Sequence, residues 1–353
     1  MAGRTAAGRP GRFLLVMLLV AGGTIVLAWC VSAFGAAGFL DPEYGLWVVK
    51  RQMVAACNVG STVALGDSRV VAAVVPAELG DTTNLALGTA TPLEMYFVAR
   101  RLTACRKPPR RVLLNFSPQD LRRDDYYWAR PALFGFLSFA ELEEARATAR
   151  AFHDTTLYRP PTVWDLDAKV RDWLYAHAFP SFYLDSMWKG GLVMRLATYR
   201  RVYTETRLAD GHVLYLDVYG DNGSADQPAD EAVAKTFRVS PLLDYYLTRM
   251  LLLFEQTGTQ VVLIAPPWNQ ATCEKLHPAF VAGYDAYLHT LEREFPGIIS
   301  IGPAVECYPN RLFSDAYHLN AAGASLFSRR LSELLPENRA AMAESGENDA
   351  RKE

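Results

Sequence analysis

Three short apolar runs constrain this chain most: "TVAL" at Thr62–Leu65, "TTNLAL" at Thr82–Leu87 and "RRVLLNFSP" at Arg110–Pro118. Between them lie "RVVAAVVPAEL" and "TPLEMYFVARRLTA", with apolar residues at helical spacing and Thr91-Pro92 as a helix start. Strands that are apolar throughout, alternating with amphipathic helices, require a parallel sheet covered on both faces. The same rhythm returns late in the chain. "PLLDYYLTRMLLLFEQTG" reads as a helix ending at Gly258, "TQVVLIAPPWN" as a fourth strand and "HPAFVAGYDAYLHTLEREF" as a helix. "GIISIG" reads as a fifth strand, and "NAAGASLFSRRLSELL" as a closing helix with Asn320 at its cap. The pattern predicts an α/β fold around a five-stranded parallel sheet with helices on both faces. The 353 residues supply ample material for such a core.

From Leu121 to about Ala234 the alternation breaks, and the chain becomes rich in Tyr, Trp, Arg and Pro. Within it "FLSFAELEEARATARAF" and "VWDLDAKVRDWLYAHAF" read as helices. "RLADGHVLYLDVYG" reads as a short hairpin turning at Asp210-Gly211. Residues 121–234 are therefore expected to form a helical, aromatic insertion or lid between the third and fourth strands. The polar segment 337–353 reads as a disordered tail.

Ahead of the sheet, Phe13 to Leu40 contains no charged residue, and ~20 apolar residues suffice to span a bilayer as a helix. Arg4, Arg9 and Arg12 precede the run, whereas Asp41 and Glu43 follow it. The positive-inside rule then keeps residues 1–12 cytoplasmic, makes 13–38 a transmembrane anchor in the lipid bilayer and sends the rest outward. A signal peptide cleaved after Ala33 is the alternative, but the run exceeds the ~7–15 residues of a signal h-region. Both readings place the bulk of the chain on the periplasmic or extracellular side of a cytoplasmic (inner) membrane. Asp41 to Asn58 reads as a juxtamembrane helix and connection. Lys+Arg 36 against Asp+Glu 38 gives a net charge of −2, which argues against nucleic acid as a partner.

Cys30 lies inside the apolar run, leaving Cys57, Cys105, Cys273 and Cys307. Cys57 and Cys105 each precede a predicted strand, on one side of a parallel sheet; Cys273 and Cys307 each follow one, on the other side. This predicts the pairs Cys57–Cys105 and Cys273–Cys307 among the three pairings that four cysteines allow. No Cys-x-x-Cys or His cluster accompanies them, so no metal site or cofactor is expected.

Ligands of doubly wound sheets bind beyond the carboxyl ends of the strands. Ser68 follows the first strand, Gly88 the second, and Ser117-Pro118-Gln119-Asp120 the third; Asp315 and His318 come just ahead of the last helix. A serine hydroxyl becomes a nucleophile when a base takes its proton, and imidazole suits that task near neutrality. A carboxylate on the other ring nitrogen fixes the tautomer and stabilises the imidazolium. The Ser68 amide, at a helix N-terminus, and the Gly88 amide are candidate donors to an oxyanion. His277 reads as a surface residue, and His153, His177, His212 and His289 have no partner pattern. Arg69 reads as the partner of an acid rather than of an anionic ligand.

Gly66-Asp67-Ser68 resembles block I of the GDSL/SGNH hydrolase superfamily, Gly88 in "NLALGTATP" its block II glycine, and Asp315-x-x-His318 its block V. The resemblance covers Thr62 to Gln119 and Gln260 to Leu335, and it implies a flavodoxin-like three-layer SGNH domain in two halves, 41–120 and 235–336. It implies Ser68, Asp315 and His318 as a catalytic triad, and Ser68 and Gly88 amides in the oxyanion hole. The block III Gly-x-Asn-Asp is here Ser117-Pro118-Gln119-Asp120, so Gln119 falls where the oxyanion-hole asparagine would. "SPQ" is similar to the membrane-anchored branch that includes the D-alanylation protein of lipoteichoic acid synthesis and the alginate O-acetylation proteins. That branch implies a serine O-acyltransferase acting on an acyl donor and a glycan acceptor beside a membrane-bound O-acyltransferase partner. Two alternatives stand: a periplasmic carbohydrate or lipid esterase, and a non-catalytic scaffold subunit of such a system.

Overall fold

The computed structural model describes residues 8–35, 42–124, 126–158, 170, 173, 192–220 and 223–335. The first element, helix α1 (Gly8–Gly35), holds a 22-residue stretch, Pro10–Val31, long and apolar enough to cross a membrane. Helix α2 (Tyr44–Ala55) follows, and Leu46, Trp47, Val49, Lys50 and Val54 on it are buried.

The expected sheet is present. Strands β1 (Thr62–Gly66), β2 (Thr82–Asn84), β3 (Arg111–Asn115), β4 (Gln260–Ile264) and β6 (Ile298–Ile301) lie in the order β2-β1-β3-β4-β6, every pair parallel. Counting along this sheet alone, the order is 2-1-3-4-5, that of flavodoxin-like folds. Val63, Ala64 and Leu65, with Val112 to Leu114, have essentially no exposed surface, as strands covered on both faces require.

Right-handed crossovers fix the layers. The connection β1 to β2, through α3 (Ser68–Ala73), runs one way across the sheet. Those through α4 (Pro92–Thr103), α9 (Pro241–Thr257) and α10 (Pro278–Glu294) run the other way, and so lie on the opposite face. The closing helix α11 (Ala321–Leu334) packs against α3. The direction reverses at β1, so the crevice opens between the carboxyl ends of β1 and β3.

Several local expectations are corrected. The helix expected over "RVVAAVVPAEL" ends at Ala73, because residues before Pro76 are forced out of the α region; Val75 has φ −95° and ψ 105°. The Asn84 side-chain amide then donates to the carbonyls of Val70, Val71 and Val74. β2 stops at Asn84 rather than Leu87, although the Leu85 and Leu87 amides still donate to Ala64 and Gly66.

The hairpin expected at "RLADGHVLYLDVYG" does not form. Its first residues end helix α7 (Leu192–Leu208), and its last form the short helix α8 (Tyr215–Tyr219). Asp210 (φ 48°) and Gly211 (φ 95°) do make a turn, but it is a helix stop: the Gly211 amide returns to the Thr206 carbonyl at 2.8 Å. The turn also completes the sheet edge, since the Asp210 carbonyl accepts the Asn84 amide. A Cβ on Gly211 would lie 1.9 Å from the Asn84 carbonyl oxygen.

Within the insertion, "FLSFAELEEARATARAF" yields α6 (Phe139–Ala151), started by a Ser138/Glu141 capping box; α5 (Pro118–Arg122) precedes it. The helix expected over "VWDLDAKVRDWLYAHAF" and the tail 337–353 lie outside the described residues. The sequence reading missed a two-stranded parallel ribbon, β5 (Trp268–Asn269) with β7 (Cys307–Tyr308). The disulfides are Cys57–Cys105 and Cys273–Cys307. The first joins the chain beyond α2 to the chain beyond α4; the second staples the ribbon.

Candidate active site

Ser68 is the first residue of α3, at the carboxyl end of β1. The turn that presents it is held by Asp67, which has no exposed surface. One Asp67 carboxylate oxygen caps the helix through the Arg69 amide at 2.8 Å, and the other accepts the Ser117 amide beyond β3. The two strand ends that flank the crevice are thus tied by one side chain. Gly66 leaves room for this approach: it has φ 145°, and a Cβ there would meet the Asn115 carbonyl oxygen at 2.0 Å.

His318 reaches Ser68 from the loop before α11, across 250 residues of sequence. Its Nε2 lies 2.9 Å from Ser68 Oγ, and its Nδ1 2.8 Å from Asp315 Oδ2. The other Asp315 oxygen accepts the amides of Tyr317 and His318, each at 2.8 Å, so the carboxylate is fixed in place. Burial raises the Asp315 pKa, but the His318 ring and these two amides outweigh it, and the net shift is downward. An ionised Asp315 puts the imidazole proton on Nδ1 and leaves Nε2 to accept from the Ser68 hydroxyl.

Tyr215 of α8 stacks on the His318 ring at 4.0 Å between centroids, with 14° between planes. Sequence reasoning missed this residue, because it placed Tyr215 in a hairpin. Arg69, next to Ser68, pairs with Glu231 at 2.7 Å and lies over the Trp268 ring at 4.4 Å, so an acid is its partner.

A cleft of about 270 Å³ opens on the triad. Ser68, His318, Gln119, Tyr126, Tyr219 and Tyr317 are among its walls. Gln119 lines it from α5, and among the described residues its side-chain amide makes no hydrogen bond. Asp120 accepts the Ser117 hydroxyl at 2.7 Å; its enclosed position and the adjacent Asp67 charge raise its pKa well above the carboxylate range.

Gly88 is buried beside Thr89, which lines the cleft. The space a Cβ would occupy there is taken by the Glu43 carboxylate, 1.9 Å from the ideal Cβ position. Glu43, also unforeseen from the sequence, itself lines the cleft. It accepts Arg130 Nη1 at 2.9 Å and the Tyr219 hydroxyl at 2.8 Å.

The remaining histidines lie elsewhere. His277 caps α10, His289 is exposed beside Glu292, and His212 Nε2 meets the Ala72 carbonyl at the end of α3. His153 sits just past α6 with φ 54°, and His177 lies outside the described residues. Among the described residues, no three His, Cys, Asp or Glu side chains gather as a metal site. A separate, mostly apolar cavity of about 200 Å³ lies under α10, between the ends of β3, β4 and β6. It contains none of the three triad side chains. No family model matches the chain, and no curated protein matches it.

Proposed function

We propose that this protein is a membrane-anchored, extracytoplasmic serine acyltransferase of the SGNH type, O-acylating, and by preference O-acetylating, an exported glycan. The observation that carries the reading is the unbroken relay Asp315–His318–Ser68, with both contacts under 3 Å and its serine at a helix N-terminus. Ser68 Oγ attacks the carbonyl carbon of the acyl donor while its proton passes to His318 Nε2. The carbonyl oxygen becomes an oxyanion, received by the Ser68 and Gly88 amides and the uncommitted Gln119 amide. When the tetrahedral intermediate collapses, the donor's leaving oxygen departs with the proton from His318. A glycan hydroxyl then gives its proton to His318, attacks the acyl-serine and leaves as the ester, returning Ser68 to its hydroxyl form.

The aromatic walls of the cleft, with exposed Tyr126 beside Tyr219 and Tyr317, fit a sugar acceptor, whose apolar ring faces pack on aromatic side chains. The apolar helix α1 and the arginines at its N-terminal end support an anchor with the cleft on the outer side of a cytoplasmic membrane. A partner membrane-bound O-acyltransferase would supply the acyl group. The test is labelling of the purified full-length chain with a fluorophosphonate, followed by intact mass. One adduct on wild type, absent from Ser68→Ala and from His318→Ala, is the expected result. No adduct on folded wild type would sink the catalytic reading.

A further inference from the structure

Helix α2 presents two buried ionisable side chains, Glu43 at its N-cap position and Lys50 two turns later, and both meet the segment after β2. Glu43 makes no capping hydrogen bond with its own helix. Its carboxylate lies against Gly88 Cα, where only a glycine leaves room, and holds Arg130 and Tyr219. Arg130 Nη1 in turn donates to the Thr89 hydroxyl at 3.1 Å, and its Nη2 to Tyr219 at 3.0 Å. Lys50, 1% exposed, donates from its amine to the Ala86 carbonyl. Residues 86 to 89 are therefore gripped at both ends by one helix, and Cys57–Cys105 fastens the chain beyond α2 to that beyond α4.

Burying a carboxylate and an amine is costly, the amine of Lys50 being pushed well below its usual pKa by that burial, and a backbone loop needs no such arrangement merely to turn. From this geometry we infer that Glu43 is a positioning residue for the acyl-transfer site. It fixes the Gly88–Thr89 backbone, and with it the Gly88 amide, so that the chemical step depends on α2, the first helix beyond the membrane segment. The inference rests on the acyl-transfer reading above. The carboxylate acts by filling the space over Gly88, so the length of the side chain matters more than its charge.

The test compares full-length wild type, Glu43→Ala, Glu43→Asp, Glu43→Gln and Arg51→Met. Arg51 lies on the same helix but donates to the Gly135 carbonyl, away from the Gly88 loop. The rate of fluorophosphonate adduct formation and the p-nitrophenyl acetate burst are read together with KM. Misplacing a transition-state donor by ~1 Å costs about 100-fold, so Glu43→Ala and Glu43→Asp should acylate about 10- to 100-fold slower. The substrate Kd, read from the concentration dependence of the burst rate, should change by less than about threefold while kcat/KM falls with the acylation rate, the signature of an interaction made in the transition state. Glu43→Gln, with the original length, should regain most of the rate, and Arg51→Met should match wild type. Acylation of Glu43→Asp at the wild-type rate would overturn the inference even if Glu43→Ala fails to fold. So would equal losses in Glu43→Gln and Arg51→Met, which would mark general loosening of α2. Silence of wild type toward the probe would instead remove the acyl-transfer reading, and this inference with it.

Discussion

Tyr215 shows what a single ring does for the histidine it covers. In the proposed acylation His318 gains a proton, and the resulting cation lies flat against the Tyr215 ring at 4.0 Å. A cation on an aromatic face is favoured by ~0.5–1 kcal/mol when exposed and by about 2 kcal/mol when desolvated. Truncating the ring removes that term from the transition state and also lets the imidazole swing. Tyr215→Leu should therefore acylate about 3- to 30-fold more slowly, whereas Tyr215→Phe should stay within about twofold of wild type. Single-turnover kinetics on the two variants check this. Equal rates for Leu and Phe would mean that the ring is only packing. Asp315 acts at the edge of the imidazole rather than on its face, through the ring N–H at Nδ1.

His212 ties an element rather than an atom. It arrives on the turn after α7 and meets the Ala72 carbonyl at 3.1 Å, at the C-terminal end of α3, the helix that begins at Ser68. Burial, helped by the nearby Lys50, lowers its pKa to about 4 against the opposing pull of that carbonyl and of Asp217. A folded-state pKa below the unfolded value near 6.5 gives stability that is fully present above pH 6.5 and is lost as pH falls toward 4. The loss should reach about 3 kcal/mol at pH 4. Denaturant titrations at pH 7.5 and 4 should show this loss in wild type, and its absence in His212→Gln, which keeps an N–H but does not titrate. An identical loss in the variant would assign the pH dependence to other groups.

This turn also marks where the sequence stopped being readable. The apolar strands and Ser68, Asp315 and His318 announce themselves because their signals are local: continuous β-formers, a Gly-Asp-Ser stop, an acid three residues before a histidine. "ADG" has the same chemistry whether it joins two strands or ends a helix, and only the docking of α7 against α2 decides between them. Glu43 has no local signal at all. Its role depends on Gly88, Arg130 and Tyr219, brought together from across the chain, and a glutamate ahead of a helix reads as a simple terminal charge. Conversely, the Cys57–Cys105 and Cys273–Cys307 pairs could be reasoned from strand direction, because a parallel sheet sorts its connections to two opposite edges.

At the scale of the whole molecule, the disulfides and the apolar helix bear on one another. Closing loops of 48 and 34 residues, the two bridges should each contribute about 4 kcal/mol by restricting the unfolded chain. Such bonds persist where the surroundings are oxidising and are reduced in the cytosol. Helix α1 is long and apolar enough to span a bilayer, with Arg4 ahead of it, Arg9 and Arg12 in its first turns and Asp41 after it. If that asymmetry sets the orientation, the sheet domain folds on the oxidising side and four of the five cysteines are bridged, leaving Cys30 in the apolar helix. Membranes denatured in detergent with a maleimide should then yield one adduct per chain, and five after reduction. Five adducts without reductant would place the domain in a reducing compartment, against the proposed orientation. Two adducts fewer after reduction than expected would instead indicate a bridge shielded from the reductant, which a second round under stronger denaturation resolves.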